Sequence, residues 1–157
     1  MIYSEIKEIA DRVVKLLAPC SDRIEIAGSI RRKKDDCGDI EVVYIPSKSG
    51  QWLAYDIIGM WRKIKGDAWG KYTQRMLPEG VKLDLFRAVP ENWGHILAIR
   101  TGSADFSKAL AARWVKKGYH SDGGMLRNSK GTIIPIPEEQ VLFDLLALDW
   151  VDPERRH

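Results

Sequence analysis

Acidic residues interrupt an otherwise apolar, β-branched run, Gly38-Asp39-Ile40-Glu41-Val42-Val43-Tyr44-Ile45, and no other feature restricts the chain as much. The Ile- and Val-rich stretch 40–45 predicts a strand. Successive strand side chains alternate between faces, so Asp39 and Glu41 project to one side while Ile40 and Val42 go to the other. A later run, Val81 to Arg87, repeats the arrangement: Lys82, Asp84 and Phe86 share a face opposed by Leu83 and Leu85. If the two strands are neighbours, three carboxylates converge. Like charges at that range raise one another's pKa and destabilise the site, a cost that divalent cations remove. Magnesium takes one or two carboxylates plus phosphate oxygens, and a pair of such ions about 3.5–4 Å apart can hold both oxygens of a phosphoryl transfer.

A phosphate-binding element is predicted upstream, where Gly28-Ser29 follows the short alternating strand Arg23 to Ala27. Glycine permits close backbone approach, the Ser29 hydroxyl and nearby N–H groups can bond phosphate oxygens, and Arg31 or Arg32 can neutralise them. Other chemistries find little support. Cys20 and Cys37 lack CxxC spacing, and His95, His120 and His157 show no ligand spacing, so metal chemistry falls to the carboxylates. No apolar run approaches the roughly 18 residues of a membrane span, and the N-terminus is amphipathic without a signal-peptide pattern. A soluble, cytoplasmic chain with no membrane partner is expected.

The 157 residues, 45% hydrophobic and 30% charged, suffice for one core or two small lobes. Ile2, Ile6, Ile9, Val13 and Leu17 form the stripe of an amphipathic helix stopped by Pro19, and Gly28 to Lys34 reads as a polar basic turn. Leu53, Ile57, Met60, Trp61 and Ile64 predict a helix over 51–65 capped by Gly66. Residues 69–75 and 81–87 flank Leu77-Pro78-Glu79-Gly80 as a β-hairpin. Beyond a boundary placed near residue 99, Ser103 caps a helix over 104–117, short strands surround an Asn128-to-Gly131 turn, and Pro137 opens a last helix. The order is α+β. Trp52, Trp61 and Trp114 fit helix stripes, which predicts core positions over base-stacking platforms.

Charge is divided along the chain. Residues 100–131 carry Arg100, Lys108, Arg113, Lys116, Lys117, Arg127 and Lys130 against Asp105 and Asp122, whereas residues 138–157 are mainly acidic. A basic stretch beside an acidic one points to a polyanion bound in one region.

Gly-Ser, then Gly-Asp-x-Glu within an apolar strand, then an Asp in a later strand is the signature of polymerase-beta-like nucleotidyltransferases. The chain resembles the family X DNA polymerases: GSIRRKKDDCGDIEVV is similar to their palm segment, KLDLF to the strand bearing their third metal ligand, TGSADFSKALAARWVKKGY to their thumb entry, and Trp150 to Arg156 to their ending. The resemblance implies a nucleotidyltransferase palm over 1–98, a mixed sheet with helices on one face, followed by a small α/β thumb over 99–157. It implies that Asp39 and Glu41 bind two Mg2+ ions, for which Mn2+ can substitute, with Asp84 on the catalytic ion near a primer 3′-hydroxyl. Gly28, Ser29 and Arg32 would hold the phosphates of a dNTP, Gly38 would admit them closely, and Thr101 and Gly102 would lie against the sugar. Lys108, Arg113, Lys116 and Lys117, with Lys71 and Arg75 on the hairpin, would track the phosphates of primer-template or gapped DNA.

Departures from the family pattern qualify these expectations. The length implies a reduced palm-plus-thumb form, similar to the small viral polymerase of the family, without the lyase and fingers domains. Glu41 replaces the usual Asp. Ile99-Arg100 stands where relatives often carry Tyr-Phe, and Ala104 and Ala111 replace longer polar residues, which puts sugar discrimination and fidelity in question. The expected activity is monomeric, templated, short-gap-filling DNA synthesis in repair. Template-independent terminal transfer and a non-catalytic DNA-end-binding module are the alternatives.

Overall fold

The computed structural model describes residues 1–157, which divide into two compact units, Met1–Ala88 and Val89–His157. The first unit is a mixed sheet dressed by helices. Its elements are α1 (Tyr3–Leu17), β1 (Ser21–Ile26), α2 (Gly28–Arg31), β2 (Ile40–Pro46), α3 (Gln51–Gly59), β3 (Arg62–Lys65), β4 (Tyr72–Met76) and β5 (Lys82–Arg87), with the strands in the order β1-β2-β5-β4-β3. Only β2 and β5 run parallel; the other pairs are antiparallel.

Alternation decides which face of this sheet is core. Ile40, Val42 and Tyr44 of β2 and Leu83 and Leu85 of β5 pack with Ile6, Ile9, Ala10, Val13 and Leu17 of α1 and with Ala54 and Ile58 of α3. The remaining strand residues, Glu41 and Asp84 among them, therefore face the other way. The hairpin turn forms as its sequence dictates: the Gly80 N–H donates to Leu77 O and the Leu77 N–H to Val81 O, each at 2.9 Å.

Three expectations need correction in this unit. Gly28 to Lys34 is not wholly a turn, because Gly28–Arg31 makes one helical turn before it. The helix expected over 51–65 ends at Gly59, and Arg62–Lys65 becomes β3, because β4 leaves an edge that only another strand can satisfy. With the helix shortened, the predicted stripe meets the core only in part: Ile57 packs against it, whereas Leu53 is 53% and Met60 78% exposed, and Trp52 is 74% exposed. Trp61 packs against the core and Trp114 is buried, so only Trp52 departs from its expected place among the three.

The second unit comprises α4 (Trp93–Thr101), α5 (Ala104–Lys116), the hairpin β6 (His120–Asp122) and β7 (Met125–Arg127), and α6 (Glu139–Leu145). Its core gathers Ala98, Leu110, Trp114, Leu126, Ile136, Leu142 and Leu146. The boundary falls before α4, about ten residues earlier than the expected position near residue 99. Hydrogen bonds tie this helix and the residue before it into the second unit: the Gly94 N–H donates to Ile136 O at 2.8 Å, and Asn92 Nδ2 to Gly124 O at 3.2 Å. The strands β6 and β7 pair across Gly123-Gly124, while the expected pairing around the Asn128 turn is reduced to an antiparallel bridge between Arg127 and Ile133, the Asn128 side chain accepting from the Lys130 and Thr132 N–H groups. Ser103 caps α5 as its sequence predicts, accepting from the Phe106 N–H at 3.2 Å. Arg156, fully buried, donates to Glu139 at 2.6 Å and lies over the rings of Phe106, Phe143 and Trp150.

Candidate active site

The parallel pairing of β2 with β5 sets Glu41 directly beside Asp84. Both side chains leave the sheet on the face turned away from α1 and α3, and neighbouring strands stand about 4.8 Å apart. Asp39 lies two residues upstream, just before β2 begins. Its side chain reaches the surface, yet the surrounding protein strips part of its hydration. That desolvation, followed by the Asp84 carboxylate, raises its pKa above the ordinary value, while Lys82 pulls the other way. Asp39 thus senses Asp84 electrostatically.

The Asp84 carboxylate is oriented by the hairpin. The Tyr72 hydroxyl donates to its Oδ1 at 2.6 Å and the Gln74 amide to the same oxygen at 2.9 Å, which fixes one oxygen of a group only 8% exposed. Sequence reasoning missed both donors. The signal was available in the hairpin register, where the turn pairs Gln74 with Asp84 and Tyr72 with Phe86 and so puts all four on one face.

Glycine at 28 is demanded by its surroundings. The residue has φ +63°, and a Cβ there would overlap the Glu41 carboxylate, which lies against its backbone. Ser29 follows, half-buried, with its carbonyl accepting from the Lys34 N–H at 3.0 Å, and Arg32 closes the turn through its N–H to Gly28 O at 3.1 Å. Gly38 differs: it is exposed and a Cβ there would meet nothing within 4 Å.

No three acidic, histidine or cysteine side chains are gathered into a ready-made cation cage. The donor set nevertheless fits a hard divalent ion: only carboxylate oxygens are offered, they share one face, and their mutual repulsion is the cost such an ion relieves. Glu41 would have to swing off Gly28 to join its neighbours.

In the second unit, Thr101 is fully buried at the end of α4, and Gly102 follows it at φ +68°. Lys108, Arg113 and Lys116 of α5 and Lys117 at its C-cap are all exposed, while the helix buries Leu110 and Trp114. Residues 96–157, most of this unit, match the family model of the DNA polymerase beta thumb. The second unit is thus similar to the thumb of DNA polymerase beta. No curated protein sequence matches it.

The exposed lysines and arginine of α5 lie within the matched thumb, whose type implies DNA binding. One residue expected on the same track does not reach it. Arg75 is 5% exposed, and its guanidinium donates to Thr73 Oγ1 and to the carbonyls of Trp61 and Gly66. Register explains this: Arg75 pairs with Leu83, which faces the core, so the arginine ties β4 to the β3 segment from the inside. Lys71, just before β4, is exposed. No helix is long and apolar enough to cross a membrane.

Proposed function

We propose that this family X-like chain is a DNA-directed DNA polymerase, adding dNMP from dNTP to a primer 3′-hydroxyl and releasing pyrophosphate, with short-gap filling as its task. The observation that carries the reading is the parallel register pairing Glu41 with Asp84, with Asp39 close enough for its carboxyl to respond to Asp84. The thumb match in the same chain supplies the nucleic-acid context.

Asp39, Glu41 and Asp84 would hold two Mg2+ ions, or Mn2+ in their place, which when bound neutralise phosphate charge and lower the pKa of the attacking hydroxyl. Tyr72 and Gln74 fix Asp84 Oδ1, so the carboxylate is presented in one orientation and no rotation is needed when it accepts the 3′-hydroxyl proton. The Ser29 hydroxyl and the Arg32 guanidinium take the triphosphate oxygens, and the open backbone at Gly38 leaves room for them. Thr101 and Gly102, the expected sugar contacts, are both buried and are left out of the proposal. The α5 cations hold DNA phosphates without reading sequence.

The test is extension of a labelled primer on templated, single-nucleotide-gapped and single-stranded DNA, with Mg2+ and each dNTP separately, by the native chain and by Asp84→Asn. Template-matched extension that disappears in Asp84→Asn, with DNA affinity retained, is the expected result. Extension regardless of template would assign a terminal transferase instead. The lodging of the Glu41 carboxylate against Gly28 favours one further reading, a non-catalytic DNA-end binder; binding without extension under either Mg2+ or Mn2+ would establish it.

A further inference from the structure

One feature of the first unit lies outside the acidic site. Gln51, Trp52 and Tyr55 at the start of α3 and Trp69 in the turn before β4 line a cavity of about 350 Å³, open to solvent. That volume falls within the range of small-molecule sites. Its walls differ in how they are held. Trp69 is pinned: the Arg87 Nε donates to its carbonyl at 3.2 Å, and the guanidinium stands 4.8 Å from its ring centroid. Trp52 and Tyr55, by contrast, are 74% and 40% exposed. Leaving a Trp so exposed forfeits much of the burial that an indole offers the core.

The charge around the cavity indicates what would cover those rings. Arg87 stands against the Trp69 ring and Lys71, two residues after Trp69, is exposed, whereas Arg62 and Lys65 of β3 belong to the Asp84-bearing face of the sheet, Lys65 lying 5.6 Å over the Tyr72 ring. Asp56 and Asp67 are the acids nearby in sequence. Aromatic faces flanked by cations bind the bases and backbone of unpaired nucleic acid, because every base has a stackable face and every linkage a negative charge. Gln51 adds an amide that can both donate to and accept from a base edge.

We infer that the Trp52–Tyr55–Trp69 cavity is a stacking site for an unpaired nucleobase of a single-stranded segment of nucleic acid, with Arg87 and Lys71 as the neighbouring cations. Arg87, which fixes Trp69, is the β5 partner of Tyr44, three residues along the same strands from the Glu41–Asp84 pair, or roughly 10 Å. The site, lined by α3 and the turn before β4, is thus separate from the carboxylates and linked to their strands only through Arg87. The inference rests on the reading that the chain binds nucleic acid, but not on its being a polymerase.

Binding of the full chain to three labelled probes at one salt concentration tests this: an oligothymidylate, a chain of the same length made of abasic nucleotides, and a blunt duplex. The variants are Trp52→Ala and Tyr55→Ala, both at exposed positions, and Asp84→Asn. Each aromatic variant is expected to weaken oligothymidylate binding by roughly five- to a hundredfold, with abasic and duplex affinities unchanged and Asp84→Asn binding all three as the native chain does. Equal losses on all probes, or none, would overturn the proposal. So would an aromatic variant that leaves oligothymidylate binding intact and alters sedimentation, since the face would then serve a protein contact. Loss of extension in the polymerase assay leaves this result untouched, so the two readings fail separately.

Discussion

At the scale of single residues, two glycines of the candidate site have opposite reasons for being glycine. Gly28 is constrained from within, by its positive φ and by the Glu41 carboxylate against it, so Gly28→Ala is expected to cost about 1–3 kcal/mol of stability in chemical denaturation. Gly38 has open space where its Cβ would be, so Gly38→Ala should leave stability within about 0.5 kcal/mol of native while lowering activity if phosphates approach there. A Gly38→Ala chain with native stability and native extension rates would remove Gly38 from the nucleotide site. Much at this scale was legible in advance. The two-residue period of strands placed Asp39 and Glu41 on one side and isolated Asp84 as an acid among apolar neighbours, which is why the carboxylates could be named from sequence. Their adjacency could not be, because a parallel pair joins segments that no local turn connects. Arg75 illustrates the opposite failure. It was read by charge, whereas its place next to Gln74 in a hairpin already put it on the core side.

Among elements, legibility followed amphipathicity. The stripe of α1 and the capped start of α5 were readable because one face of each is apolar and the other is not. Trp61 to Lys65 failed because helical spacing there competes with a sheet edge that needs a partner, and tertiary hydrogen bonding won. The helix α4 was missed for a different reason: Trp93, His95, Leu97, Ala98 and Thr101 are all buried, which leaves no polar face to reveal a period. Its one titratable buried residue gives the element a measurable signature. His95 is fully buried, with Nε2 3.0 Å from Ser121 Oγ and no partner at Nδ1, and burial lowers its pKa to about 4. The folded chain therefore prefers the neutral ring, while the unfolded chain takes up a proton near 6.5. Stability from this residue is complete above that value and drains away as pH falls through about 4, a span worth about 3 kcal/mol. Denaturant midpoints measured across this window should fall more steeply for the native chain than for His95→Gln, and parallel slopes would show that the ring is not buried neutral.

The molecule as a whole has two units, each with its own core, and the charge division legible in the sequence, basic over 100–131 and acidic over 138–157, falls within the second. The carboxylates belong to Met1–Ala88, whereas the matched thumb and the basic α5 belong to Val89–His157. The acidic stretch after residue 137 is partly internal structure, since Glu139 is committed to the buried Arg156. The cations of α5 have no such commitment to the core, being exposed along its length. Nucleic-acid affinity and chemistry should therefore separate under mutation. Neutralising Lys108, Arg113, Lys116 and Lys117 to glutamine is expected to weaken duplex DNA binding and to flatten the plot of log affinity against log salt by about 0.9 for each phosphate contact removed. Asp84→Asn, which leaves the α5 cations in place, should preserve the native slope. If the glutamine variants keep that slope, these side chains are solvated surface and the DNA track runs elsewhere. If they flatten it while Asp84→Asn does not, binding by the second unit and carboxylate chemistry in the first are independent parts of one protein.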